Sequence, residues 1–242
     1  MLTVCHLYPD LLNLYGDQGN IIAFTRRARW RNIPVRVLGV RLGEPVDFRE
    51  VDFLFLGGGS DREQSLIAAD LQRRAAALGA AIEAGLVVLA ICGGYQLLGR
   101  FYRTLDGTEI PGLGILDFYT QAGRKRLIGN IAIEVELEGK KIRACGFENH
   151  SGQTYLGAVK PLGRVLRGYG NNGRDGWEGA RYKNVFCSYL HGPLLPKNPA
   201  LCDHLLRLSL RRRGLDGYLA PLDDSFEKRA NDVMLHRLGV KG

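Results

Sequence analysis

Short apolar, β-branched runs alternate with amphipathic stretches through the first hundred residues, the pattern of βαβ units that build a mainly parallel sheet. Leu2 to Leu7 reads as a first strand. The turn-rich Tyr15-Gly16-Asp17-Gln18-Gly19-Asn20 follows, then a helical stretch from Ile21 to Arg31 and a second strand from Val35 to Val40. Phe53 to Leu56 reads as a short buried strand. It ends in Gly57-Gly58-Gly59, a backbone able to take positive φ and approach a ligand closely, after which Ser60 or Asp61 is placed to cap a helix. Leu66 to Ala84, rich in Ala, Leu, Gln and Arg, has strong helix propensity, and Gly85 stops it. Leu86 to Ile91 then reads as a central strand running directly into Cys92-Gly93-Gly94-Tyr95-Gln96-Leu97-Leu98, which turns into another helix.

Beyond that point the pattern changes to alternation and glycine. Ile131 to Leu137 and Lys141 to Cys145 read as half-exposed antiparallel strands, so the second half is expected to be β-rich. Asn184 to Leu190 is a further apolar strand ending at His191-Gly192-Pro193, and Pro199 to Arg213 reads as a terminal amphipathic helix. With no repeat, low-complexity tract or linker, residues 1–242 are expected to form a single α/β domain, a mainly parallel sheet with antiparallel additions.

The 45% hydrophobic and 24% charged content is that of an ordinary globular chain. Its apolar runs fall far short of the roughly 20 residues needed to cross a bilayer, so it is not expected to be membrane-embedded. The start lacks the basic, apolar and small-residue segments of a secretory signal, and the five scattered cysteines contain no CxxC pair. A reducing cytoplasm fits, with no disulfide framework and no metal site. The net charge of +8 is spread over Arg26-Arg27-Ala28-Arg29, Arg124-Lys125-Arg126, Lys140-Lys141 and Arg211-Arg212-Arg213. None of these runs is interleaved with aromatics, which argues against a nucleic-acid partner. They read as solvated faces, or as a surface for an acidic partner or anionic lipid.

A strand that breaks sharply into a helix holds its turn residue out at the edge of the sheet, where a helix N-terminus favours thiolate over thiol. Cys92 occupies that turn. A thiolate that attacks an amide needs a proton carrier within hydrogen-bond range, usually a histidine. His6 lies inside the first strand, and His204 and His236 lie in charged helical stretches. His191, at the end of an apolar strand, is favoured over His150 in Gly146-Phe147-Glu148-Asn149-His150. The oxyanion formed on attack needs fixed donors, which the Gly57-Gly58-Gly59 turn and the amide of Gly93 can supply.

These residues resemble the class I glutamine amidotransferases. Members pair a Gly-rich oxyanion turn, a Cys-Gly elbow and a later strand-end histidine, here Gly57-Gly58-Gly59, Ile91-Cys92-Gly93-Gly94-Tyr95-Gln96 and Tyr189-Leu190-His191-Gly192-Pro193. The chain is similar to the branch that holds the amidase domains of cobyric acid and cobyrinate synthases. Within it, the chain most resembles amidotransferase subunits of lipid II isoglutaminyl synthases, over essentially its whole length. The resemblance implies a three-layer, flavodoxin-like fold, Cys92 as nucleophile, His191 as base, Gly58, Gly59 and Gly93 as oxyanion donors, and Arg126, Gln96 and Gly57 around the substrate L-glutamine. One departure matters: most class I enzymes carry Glu two residues after the histidine, where this chain has Pro193. The imidazole is then held by a group elsewhere in the chain, or works with Cys92 alone.

The resemblance also implies an ammonia-consuming partner, a MurT-like synthetase of the Mur-ligase family acting on lipid II at the inner face of the membrane. The GxxxxGK[ST] loop is absent, so ATP and Mg are expected in that partner and no cofactor in this chain. The rival readings are a glutaminase serving a cobyrinate-type synthetase, and a cysteine hydrolase or peptidase on the same sheet.

Overall fold

The computed structural model describes residues 1–240. In chain order the elements are β1 (Leu2–Leu7), α1 (Gly19–Arg29), β2 (Val35–Val40), β3 (Phe53–Leu56), α2 (Asp61–Glu83), β4 (Val87–Ile91), α3 (Gly93–Leu98), β5 (Phe101–Arg103), β6 (Glu109–Pro111), β7 (Phe118–Leu137), β8 (Lys140–Leu156), β9 (Gly163–Arg167), β10 (Trp177–Glu178), β11 (Ala180–Tyr182), β12 (Val185–Ser188), α4 (Pro199–Arg212) and α5 (Ser225–Arg237).

The first sheet has the order β11-β12-β4-β3-β1-β2, parallel throughout except for β11 at the edge. Its central strands β3 and β4 are buried at every position, as expected of strands covered on both faces. Phe24 of α1 stacks on Phe53 of β3 with ring centroids 4.2 Å apart, and His204 of α4 meets Phe186 of β12 edge-on at 5.6 Å. The order reverses at β1, since β2 lies on one side of it and β3 on the other. Such a switch point opens a crevice at the carboxyl ends of the strands.

The second sheet is mostly antiparallel, in the order β10-β9-β7-β5-β6 with β8 paired to β7. The long β7–β8 hairpin closes through Glu138 and Gly139, whose φ values of 50° and 77° give the paired left-handed residues of a two-residue hairpin turn. Its register is irregular between Ala122 and Leu127, so the Arg124-Lys125-Arg126 run leaves the ladder. An isolated bridge between Phe147 and His191 joins the hairpin to the end of β12. Apolar residues of both sheets belong to one core cluster, from Leu2 and Phe53 to Phe118 and Val135.

Two expectations need correction. Pro199 to Arg213 does not end the helical structure, because α5 follows it. That helix buries only Asn231 and Leu235: Leu235 packs on Ala132 and Cys145 with Met234 and Leu238 beside it, and the Asn231 amide donates to Lys197 O at 3.0 Å and to Asn198 Oδ1 at 2.9 Å. The apolar stripe, the signal that reveals a helix in sequence, is therefore short and confined to the end of the helix. Nor are the basic runs all solvated. Arg27 is 3% exposed and pairs with Asp203 at 2.7 Å and Asp224 at 2.6 Å, tying α1 to α4 and to the start of α5. Arg212 donates to the carbonyls of Val51, Ala84 and Phe48. No helix among the described residues is long and apolar enough to cross a membrane.

Candidate active site

Four loops at the carboxyl edge of the first sheet converge, those following β1, β3, β4 and β12. Cys92 follows β4 with φ 50° and ψ −105°, a conformation that L-residues avoid and that orients the side chain outward from the sheet edge. The turn is held by the Cys92 N–H, which donates to Ser188 O at 2.9 Å, and by the Gly94 N–H, which donates to Gly57 O at 3.0 Å. Glycine is obligatory here for room: a Cβ at Gly94 would lie 2.7 Å from Leu56 O, and one at Gly93 would lie 2.9 Å from Gly59 N.

His191 is fully buried, and its backbone exchanges two hydrogen bonds with Phe147. Its Nδ1 sits 3.2 Å from Asp17 Oδ1, and its Nε2 has no hydrogen-bond partner among the described residues. Asp17 comes from the loop after β1, is itself completely buried, and accepts the Gly58 N–H at 2.8 Å through its other oxygen. A Cβ at Gly58 would lie 2.9 Å from His191 Cε1 and 3.1 Å from Asp17 Oδ2, so this residue must be glycine for the acid and the ring to meet. Pro193 packs against Gly19, where an added Cβ would come 2.4 Å from the proline Cγ. The proline thus lies against the far end of the loop that carries Asp17.

A cavity of about 320 Å³ is lined by Gly59, Gln64, Cys92, Gln96, Arg126 and His150. Of the residues singled out in the sequence, Gly59, Cys92, Gln96, Arg126 and His150 therefore share one cavity, while Gly57, Gly58, Gly93 and His191 are not among its lining residues. Two expectations are adjusted by this geometry. The Gly58 N–H is committed to Asp17, which leaves the neighbouring N–H groups of Gly59 and Gly93, with no acceptor among the described residues, as the pair available to an oxyanion. Gly57 makes backbone contact with Gly94 and Leu12 and does not reach the cavity. A wider depression of about 670 Å³ lies at the opposite end of the sheet, between residues 46–52 and the end of α2, and holds no nucleophile.

The CobB/CobQ-like glutamine amidotransferase domain model matches residues 3–199. The chain belongs to this family. It is 48% identical over 236 residues, 98% of its length and 96% of the relative's, to the lipid II isoglutaminyl synthase (glutamine-hydrolyzing) subunit GatD of Staphylococcus aureus. The corresponding Streptococcus pneumoniae subunit is 42% identical over 92% of this chain and 86% of that one. Among solved structures, that of PurLQS from Thermotoga maritima superposes with a TM-score of 0.56 at 19% identity, covering 98% of this chain and 99% of that chain. That likeness reports the fold, which is the class I glutamine amidotransferase fold.

The polar groups of the amidotransferase cavity are wired together. Gln96 donates to the Tyr189 hydroxyl at 3.2 Å and accepts from Gln64 Nε2 at 2.9 Å; the Tyr189 hydroxyl also bonds Thr154 Oγ1 at 2.7 Å. Gln64 is buried, and its Oε1 has no hydrogen-bond partner among the described residues. His150, the rival histidine, stacks flat on Tyr189 at 3.7 Å, and its Nδ1 lies 2.6 Å from Gly152 O. A carbonyl can only accept, so Nδ1 carries a proton. His150 Nε2 lies 3.7 Å from the Glu148 carboxylate, which is already engaged by the N–H groups of Tyr169 and Gly170.

Burial disfavours a charged imidazole at His191, yet the charge of nearby Cys92 and the Asp17 carboxylate outweigh it and raise this residue to about 10. His6 and His204 go the opposite way: desolvation lowers His6, and desolvation with Arg181 nearby takes His204 down to about 4. Beneath the site, Glu178 accepts the Tyr189 N–H at 2.6 Å and the Ser188 hydroxyl at 3.2 Å, bracing the segment between the Cys92 contact and His191. Complete burial pushes its carboxyl up to about 8.

Asp17, Gln64 and Glu178 were not singled out in the sequence. Asp17 sits in a loop with the composition of an ordinary turn. Only its position two residues before Gly19, opposite Pro193, links it to the missing Glu.

Proposed function

We propose that the chain is the glutaminase subunit of a lipid II isoglutaminyl synthase, hydrolysing L-glutamine to glutamate and ammonia. The observation that carries this reading is the strained Cys92 at the cavity wall with the buried His191–Asp17 pair behind it. The Cys92 thiolate adds to the carboxamide carbon, and the resulting oxyanion accepts from the N–H groups of Gly59 and Gly93. His191, held by Asp17, gives its proton to the departing nitrogen as the C–N bond breaks, releasing ammonia and leaving a thioester. Water, deprotonated by the same imidazole, then cleaves the thioester to glutamate. Arg126, exposed at the cavity mouth, is suited to the substrate's α-carboxylate.

The relatives named as GatD support the further reading that the ammonia serves a second subunit, a MurT-like synthetase of the Mur-ligase family. That subunit would activate the D-glutamate α-carboxyl of the lipid II stem peptide with ATP and Mg, and this chain would need no cofactor of its own. Because the acceptor is a lipid, the complex would work in the cytoplasm at the inner face of the membrane.

The test is to purify the chain from its native cells with whatever it carries and to measure ammonia release from L-glutamine. Wild type is expected to be active and Cys92→Ser inactive, with a Mur-ligase-like protein copurifying. Unchanged glutamine hydrolysis in Cys92→Ser would end the reading, and a different synthetase in the preparation would redirect its second half.

A further inference from the structure

Tyr15 stands two residues before Asp17 in the loop after β1. Its φ of 55°, followed by 73° at Gly16, folds this segment back on itself, so that Tyr15 and Asp17 address His191 from different sides. The Tyr15 ring meets the imidazole edge-on, with centroids 4.9 Å apart and planes at 74°. Its hydroxyl points the other way. It accepts from Asn149 Nδ2 at 2.7 Å and lies 3.5 Å from Arg126 Nη2, while Arg126 Nε donates to Asn149 Oδ1. His191 is fully buried, whereas Tyr15 is 43% exposed and Arg126 and Asn149 line the mouth of the cavity. One side chain thus touches both the entrance and the buried ring.

A left-handed, non-glycine residue costs on the order of 1–2 kcal/mol, and an exposed tyrosine has little packing to offset it. What holds Tyr15 over the imidazole is the pair Asn149 and Arg126. An arginine whose Nε and one Nη are already engaged still has a terminal N–H edge for a carboxylate. Occupying it fixes the guanidinium plane, and through Asn149 the tyrosine. Binding energy taken from the unreactive end of a substrate is then used to order the base at the reacting end.

We propose that Tyr15 is a positioning residue that couples seating of a substrate carboxylate at Arg126 and Asn149 to placement of the His191 imidazole. The inference rests on the glutaminase reading and extends it. Its consequence is that loss of the Tyr15 hydroxyl lowers turnover, not affinity, because Arg126 keeps its carboxylate but no longer reports on it.

The experiment is steady-state glutamine hydrolysis by the full chain purified as above, comparing wild type with Tyr15→Phe, which keeps the ring, and Tyr15→Ala, which removes it. Tyr15→Phe is expected to lower kcat about tenfold with KM within twofold. Tyr15→Ala is expected to lower kcat by a further tenfold and to move the alkaline limb of kcat/KM to higher pH, since water then relieves the burial that disfavours the charged imidazole. Either variant with kcat within twofold of wild type, or with KM alone raised, overturns the coupling. Wild type that releases no ammonia from glutamine sinks the underlying reading instead, so the two failures are distinct. A lowered melting temperature with unaltered kcat, KM and pH profile assigns Tyr15 a structural role only and also overturns the proposal.

Discussion

The carboxylate of Asp17 reaches the imidazole of His191 at 3.2 Å, although 174 positions of sequence separate them. The acid that holds the ring therefore comes from the first loop of the chain, and the proline beside the histidine is accommodated. A carboxylate in this place fixes the tautomer and stabilises the imidazolium. Asp17→Asn keeps the shape but loses the charge. Glutamine hydrolysis by this variant should fall on the order of a hundredfold or more in kcat, with circular dichroism unchanged. Wild-type kinetics in Asp17→Asn would remove Asp17 from the mechanism.

The pH dependence follows from His191. Its pKa lies above that of an unfolded histidine, so the charged ring and the stability it brings are fully present below about 6.5 and are lost as pH rises through about 10. A profile of kcat/KM against pH should therefore stay level between pH 8 and 9 and decline above about 10. In Asp17→Asn the same limb should appear at lower pH.

Glu178 gives the opposite kind of test, one of stability. Its carboxyl is raised to about 8, so the folded state holds a proton that the unfolded chain gives up near 4.5, and stability falls as pH climbs through that window. Glu178→Gln removes this loss. Thermal melts should show the variant level with wild type near pH 5 and higher by about 3–5 °C at pH 8.5. A variant less stable than wild type at pH 8.5 would mean that the carboxylate is held charged.

Arg27 is buried between two aspartates, so removing it leaves Asp224 without its cation, while Asp203 keeps Arg31 at 2.7 Å. Truncation of one partner in a buried pair costs about 3–5 kcal/mol. Arg27→Ala should shift the urea midpoint accordingly and loosen α5, detectable as faster amide exchange over residues 225–237. Exchange in α5 equal to wild type would show that Asn231 anchors the helix without Arg27.

What was legible in the sequence was whatever local chemistry dictates. Phe53–Leu56 and Val87–Ile91 are wholly apolar because both faces are covered, and glycines 93 and 94 mark the tight approach of the Cys92 turn to the β3 loop. The helix cap expected at Ser60 or Asp61 falls on Ser60, with the Ser60 N–H donating to Glu63 Oε2 at 2.9 Å. What escaped notice depends on contacts between distant segments. Asp17 looks like a turn residue until β1 and β12 bring their loops together, and Arg27 looks like a solvated cation until α4 lies beside it. The last helix is docked through the Asn231 amide and a short apolar patch around Leu235, so periodicity had little to detect.

The division of the site between the first loop and the last strand of the main sheet bears on how the protein is made. Synthesis runs from the amino terminus, so the ribosome releases Asp17 first and Cys92 next, and both wait through the whole second half of the chain for His191. Until β12 slots in beside β4, a nascent chain exposes a thiol with no imidazole behind it. Glutamine breakdown is thereby deferred until the last strand of the main sheet has been built.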